Sequence, residues 1–347
     1  MTASRRHFLQ AAAALSLTRM TGSAAEPSRR VRAGQIGTQH GHASGKMATL
    51  RKLQEDFTVI GLAGAGDNPG AAYDGIPRFT VEQLLQQPDL EAVVVETDFP
   101  DACAAAHAAI KAGKAVHLDK PGALDHGAFK VMRQEAEDRG LIFQMGYMLR
   151  YNAGFQFVFK AVKEGWLGRI TEIDAMMGKK LDAAGRLDLM RLPGGGMFEL
   201  GCHLVDAVGC ILGKPQAVHS FAKPTGGDGF KDNQLAVLEY PTAVATLRCN
   251  MADPFGNPRR RFLITGTEGS LEIMPLESGR ITARLTAPHG EYNVGEQQIT
   301  LPAGGRYDAE LQVLAAAIRE NRPLPWNAAH DIAVHETALK AGGASVQ

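Results

Sequence analysis

The stretch Val31-Arg32-Ala33-Gly34-Gln35-Ile36-Gly37-Thr38-Gln39-His40-Gly41-His42 runs from an apolar-leaning strand into a glycine turn. A helical pattern follows over residues 45–57, with Met47, Leu50, Leu53 and Phe57 on one side. The alternation then repeats. Strand signals fall at 59–63, 92–95, 115–118 and 141–145, and helical signals at 81–85, 102–112 and 125–139. Ala92-Val93-Val94-Val95 is apolar at every position, as a strand buried on both faces must be. Strands of this kind alternating with helices predict a parallel sheet covered by helices.

Beyond Arg150 the pattern changes. A helix over 155–164 precedes strand segments at 170–176, 217–221, 234–239, 243–250, 261–264 and 270–273, with period-two alternation. That period predicts a mainly antiparallel sheet with one wetter face. Helices over 308–319 and 329–341 close the chain. The expected organisation is an α/β Rossmann-type domain over 31–150 and an α+β domain for substrate binding and oligomerisation over 151–345.

Residues 1–25 read differently. Ser4-Arg5-Arg6-His7-Phe8-Leu9-Gln10 precedes the apolar run Ala11–Leu17, and small residues follow at Gly22, Ser23, Ala24 and Ala25. This order predicts a twin-arginine signal peptide, the Tat translocation machinery as a partner, and a periplasmic or otherwise exported product. Removing Arg5, Arg6 and Arg19 lowers the 37 basic residues to 34 against 37 acidic, a charge near −3. That balance argues against nucleic-acid binding, which requires a basic surface. With no apolar run of about 18 residues beyond the leader, stable membrane insertion is not expected. Cys103, Cys202, Cys210 and Cys249 lack metal-binding spacing and read as free, buried thiols.

Gly37 suits a tight turn, and the amides after it suit a pyrophosphate at a helix N-terminus. The motif departs from G-x-G-x-x-G, because Gln39 and His42 hold the later glycine positions. After the second strand, Ala63-Gly64-Ala65-Gly66 offers no acid for a ribose, although Asp67 lies just beyond. The choice between NAD and NADP therefore stays open. His40 and His42 are two imidazoles without a third ligand at metal spacing, so no metal is expected.

Gly113-Lys114-Ala115-Val116-His117-Leu118-Asp119-Lys120-Pro121 resembles a segment of the glucose-fructose oxidoreductase, inositol dehydrogenase and rhizopine catabolism (Gfo/Idh/MocA) superfamily, with Asp where its members carry Glu. The likeness extends through Gly146–Arg150, Gly168-Arg169-Ile170, Thr265–Leu271 and the stretch from Gly194 to Asp206, in which Glu199 replaces the usual Asp. It implies NAD or NADP, contacted by Gly37, Thr38, Gln39, His40, Thr97, Lys120 and Pro121, and export after folding favours holding that cofactor tightly. It also implies catalysis by Lys120, His203 and Glu199 on a sugar, polyol or glycoside. Lys120 polarises the reacting oxygen, His203 exchanges its proton, and Glu199 orients His203 or a substrate hydroxyl. Glu199, His203 and Asp206 lie at helical spacing, Asp206 as structural support. Lys179, Lys180, Arg186 and Arg191 read most simply as a solvated charge run on a loop, the alternative being a clamp on a sugar acid or a cover over the cleft. A homo-oligomer, dimer or larger, is expected through the open sheet face. Rival readings are an NAD-dependent glycoside hydrolase or lyase using transient oxidation, and a non-catalytic sugar-binding protein with a relic cofactor fold.

Overall fold

The computed structural model describes residues 29–66, 69–302 and 304–346. The leader and Asp67 lie outside them. The chain divides into two compact units, described separately below.

The first unit comprises the described residues up to Asp119, together with Val131–Met145 and Leu311–Ala328. Its strands are β1 (Val31–Ile36), β2 (Phe57–Ala63), β3 (Arg78–Phe79), β4 (Ala92–Val95), β5 (Ala115–Leu118) and β6 (Phe143–Met145). They form one sheet in the order β3-β2-β1-β4-β5-β6, and every pairing is parallel. The helices that alternate with these strands begin with α1 (Ala43–Lys52), α2 (Val81–Leu85) and α3 (Phe99–Lys111). Every residue of β4 and β5 is buried, as the unbroken apolar run of β4 requires, with His117 the one polar side chain among them. Met47, Leu50, Phe57 and Leu62 share one core with Leu311 and Leu314. The strand order reverses beside β1, so the carboxyl ends of β1 and β4 flank the crevice where such sheets bind ligands.

Phe57 corrects one expectation: it begins β2 rather than ending α1. The helix stops at Lys52, where the Leu53 amide donates back to the Thr49 carbonyl as the chain turns.

The second unit comprises Lys120–Lys130, Gly146–Glu310 and the described residues from Ala329. After α4 (His126–Asp138), which spans the boundary between the units, come α5 (Ala153–Lys163), β7 (Ile170–Gly178), α6 (Ala183–Met190) and α7 (Cys202–Leu212). The remaining strands run from β8 (Ala217–Lys223), β9 (Asn233–Glu239), β10 (Val244–Asn250), β11 (Arg261–Gly266) and β12 (Gly269–Ile273) to β13 (Arg280–Leu285) and β14 (Gly295–Thr300). The chain then enters α8 (Asp308–Arg319), which belongs to the first unit from Leu311 on, and returns to this unit in α9 (Ala328–Ala341).

The eight strands order as β14-β13-β12-β11-β7-β10-β9-β8, antiparallel throughout except that β7 and β10 run parallel. Alternate residues of β9 and β10 are buried, including Ala236, Leu238, Ala245 and Leu247. On the wetter face, Thr246 donates to Asp174 at 2.7 Å, Arg261 pairs with Asp174, and Arg284 pairs with Glu296 at 2.8 Å. The region read as a charged loop contains α6, whose N-terminus is capped by the Asp182 side chain accepting from the Gly185 amide.

Candidate active site

In the second unit, the triple glycine sets up the site. Gly194 and Gly195 adopt positive φ, and Gln234 of β9 holds the turn by donating to the Gly194 carbonyl at 2.9 Å and accepting from the Met197 amide at 2.8 Å. An added Cβ at Gly196 would come within 2.7 Å of the Met251 side chain, which would have to shift to admit it. The chain then enters α7 through a widened, π-helical turn at Met197–Gly201.

That turn presents Glu199. Its backbone carbonyl accepts from Lys120 Nζ at 2.8 Å, and its Oε1 accepts from the same ammonium at 2.6 Å. The Lys120 side chain is fully buried, and Glu199 retains 12% exposure. Lys179, just past the end of β7, lies 3.5 Å from Glu199 Oε2. Glu199 therefore sits between two ammonium groups. Lys179 also departs from the expected solvated run. Arg186 departs further, pairing with Asp228 at 2.6 Å and with Asp232 at 2.5 Å. His203 is buried one turn beyond Glu199, edge-on to Tyr147 at 6.0 Å between ring centroids.

Asp206 supports this helix from behind. Arg150 grips it with Nε and Nη2 and also reaches Asp331 at 2.8 Å, while His330 lies 3.2 Å from Asp206. All three members of the arginine–carboxylate group are buried. Arg150 holds the Asp206 carboxyl below its usual range against the opposing effect of burial. Lys120 and Pro121 belong to this unit and are joined by a cis peptide bond.

In the first unit, Gly37 (φ +88°) brings the turn against the end of β4, where an added Cβ would lie 2.5 Å from the Thr97 backbone. The Gln39 and His40 amides both donate to the Glu96 carbonyl at 3.1 Å. Thr38 donates to Gln39 Oε1, and Gln39 Nε2 donates to the Gly64 carbonyl. Gln39 thus bridges the ends of β1 and β2 where a second glycine would leave a gap.

The amides of Gly37, Gln39 and His40, expected to face a diphosphate, donate instead to the Ala63 and Glu96 carbonyls, which leaves the start of α1 as the place for an anion. The helix has no side-chain cap and no acid in its first turn, and a Cβ added at Gly41 would meet nothing within 4 Å. Gly37, Thr38, Gln39, His40 and Thr97 surround that mouth through the turn and the end of β4.

Sequence reading missed the polar group beneath this turn. Glu96 and Asp119 end β4 and β5, both buried. Burial, reinforced by neighbouring Asp119, raises the Glu96 carboxyl to about 8. His42 Nδ1 lies 2.9 Å from Asp119 Oδ2, and His40 Nδ1 lies 3.2 Å from Glu96 Oε2. Buried Lys46 contacts His117 Nε2 at 2.9 Å, and His117 Nδ1 lies 2.9 Å from Gln144 Oε1. The polar residue ending each strand was the available signal. Only the parallel register brings these residues together.

Comparison with known proteins places this geometry. Residues 155–272 match the family model for the GFO/IDH/MocA C-terminal domain. The chain is 27% identical over 198 residues to trans-1,2-dihydrobenzene-1,2-diol dehydrogenase of Bos taurus, covering 56% of this chain and 57% of that protein. It is 25% identical over 310 residues to 1,5-anhydro-D-fructose reductase of Ensifer adhaerens, covering 83% and 91%. The alignments with the bovine and rabbit diol dehydrogenases span less than two thirds of those proteins, 57% and 62%. A solved levoglucosan dehydrogenase, in complex with NADH and levoglucosan, shares the fold with a TM-score of 0.78 at 17% identity, covering 89% of this chain and 95% of that one. The domain match and these dehydrogenase and reductase relatives support the superfamily that the sequence resembles.

Proposed function

We propose that this chain is a nicotinamide-dependent oxidoreductase acting on a hydroxyl-bearing carbon of a sugar, polyol or glycoside. The observation that carries the reading is the buried Lys120 ammonium, fixed by Glu199 through two short hydrogen bonds, with His203 one helical turn away. A cation held in a buried site stabilises negative charge on oxygen far better than one in water. The dehydrogenase and reductase relatives favour that use over a structural one.

When bound, the cofactor supplies the hydride acceptor or donor. The chain's residues do the rest. His203 takes the hydroxyl proton, Lys120 donates to the oxygen as charge develops there, and Glu199 with Lys179 fixes the ammonium's direction. Gly37, Thr38, Gln39, His40 and Thr97, with the uncapped start of α1, would hold the cofactor's diphosphate, and Lys120 and Pro121 are proposed as further cofactor contacts. The missing acid after β2 leaves both NAD and NADP as candidates, to be separated by measured affinity.

The test mixes purified protein with NAD or NADP and a panel of polyols, aldoses and glycosides. Nicotinamide absorbance and product mass are followed together. Reduction coupled to formation of a ketone or lactone supports the reading. Cleavage of a glycosidic bond without net redox change replaces it with the transient-oxidation scheme. Failure to bind either nucleotide favours the sugar-binding alternative.

The same reading includes export of the folded protein with its cofactor retained, on the strength of Arg5-Arg6 and the apolar run that follows. Replacing both arginines by lysine should hold the precursor inside the cell, and normal export of that variant would remove this part of the proposal. The wetter sheet face is the proposed homo-oligomer surface.

A further inference from the structure

The polar group at the ends of β1, β4 and β5 has a composition that dinucleotide binding alone does not account for. Four electron-rich atoms converge there. His42 Nδ1 is 2.9 Å and His40 Nδ1 is 3.6 Å from Asp119 Oδ2, and His40 Nδ1 is 3.2 Å from Glu96 Oε2. His40 Nδ1 also accepts the His42 amide at 3.3 Å, a long bond that a metal ion at this nitrogen would displace. Neither carboxylate oxygen of Glu96 accepts a hydrogen bond among the described residues, although the side chain is fully buried. A proton on a ring nitrogen joins such a pair as a hydrogen bond, and a metal ion binds the same atoms in the proton's place.

We propose that His40, His42 and Asp119 ligate a divalent first-row transition-metal ion, with Glu96 as a fourth or bridging carboxylate. Ligand atoms of the three residues lie within 4.8 Å of one another. A tetrahedral ion with bonds of about 2.1 Å separates its ligands by about 3.4 Å, so the observed 2.9–3.6 Å spacings need only small side-chain shifts. Two imidazoles and carboxylates, without a thiolate, select zinc, manganese, iron or cobalt over copper(I), calcium or magnesium.

The site is also built rigidly. The Gly37 approach to Thr97 and the paired amide bonds onto the Glu96 carbonyl fix the His40–His42 turn against β4. His42 keeps 19% exposure, giving the ion a route in, and the open space beside Gly41 admits a water or anionic oxygen as a further ligand. Asp119 follows His42 by 77 residues, so spacing along the chain could not reveal it.

The inference does not depend on the redox reading, because its test uses no nucleotide. Untagged protein is stripped with a chelator, then titrated with zinc under equilibrium dialysis and with cobalt under visible absorption. One ion per chain is expected, with cobalt giving the intense bands of a four- or five-coordinate nitrogen–oxygen site. Losing a ligand's own hydrogen-bond partner weakens metal sites about 10- to 100-fold, so His42→Ala and Asp119→Asn should each cost at least about 100-fold. Glu96→Gln should cost about 10-fold if Glu96 supports rather than forms the first bonds. The cobalt spectrum of the wild-type chain decides the question even if a variant fails to fold. Zinc binding no tighter than in a His40→Ala/His42→Ala double variant, or only the pale spectrum of six-coordinate aqueous cobalt, would overturn the proposal.

Discussion

Replacing Glu199 by Gln removes one charge while keeping the side chain's shape. It leaves the Lys120 ammonium, fully buried, without the carboxylate that accepts its 2.6 Å bond. Removing one partner of a buried ion pair costs about 3–5 kcal/mol, most of it the penalty of the abandoned charge. Gln retains an amide oxygen, and the Glu199 carbonyl still accepts from Lys120, so the lower end, about 3 kcal/mol, is expected. Lys120→Met should cost less, about 1–2 kcal/mol, because Glu199 is 12% exposed and keeps Lys179 at 3.5 Å. The double variant should then lie well above the additive expectation, with a coupling of about 2 kcal/mol. Urea unfolding followed by tryptophan fluorescence measures all four corners of this cycle. A coupling below about 0.5 kcal/mol would show that Lys120 and Glu199 are not the buried charge unit on which the site rests.

Two further outcomes follow from the second unit. Asp206→Asn should destabilise by about 3 kcal/mol, because it takes one of two carboxylates from buried Arg150, and a loss under 1 kcal/mol in chemical denaturation would contradict the described network. Burial lowers His335 to about 4, although its hydrogen bond to the Ala123 carbonyl opposes that shift. Its folded value lies below its unfolded one, so its contribution is complete above about pH 6.5 and is lost as pH falls through about 4, a change of about 3 kcal/mol. His335→Gln should flatten the stability profile across that window. An unchanged slope would place the acid sensitivity elsewhere.

The parallel sheet could be read from sequence because its information is local. Four consecutive apolar residues in β4 admit one environment, and glycines punctuate the helices between strands. Phe57 was misread because it continues the helical spacing of Met47, Leu50 and Leu53, while the turn at Leu53 carries no glycine or proline. Strands β13 and β14 escaped notice because Arg280–Leu285 and Gly295–Thr300 lie at or beside a sheet edge, where polar residues suffice.

Motif spacing marked Lys120, Glu199 and His203, but their contacts depend on tertiary structure. Strand β7 delivers Lys179 to Glu199, the π-helical turn exposes the Glu199 carbonyl to Lys120, and Arg150 finds Asp206 and Asp331 across 56 and 181 residues. The convergence of the Glu96–Asp119–histidine group was hidden for the same reason, since Glu96 and Asp119 read singly as polar residues after strands and His40 and His42 as part of a glycine turn.

The central claim is that His203 removes the proton as hydride leaves the same carbon. The direct measurement is the single-turnover rate of bound nicotinamide reduction after mixing with an active sugar or polyol, in wild-type protein and in His203→Ala. Cofactor content and affinity are checked beforehand. Losing a positioned proton-transfer group lowers a rate by about 100- to 10,000-fold, so the variant should bind cofactor normally and reduce it at least about 100 times more slowly. Reduction at the wild-type rate in a variant carrying its full complement of cofactor would contradict the assignment.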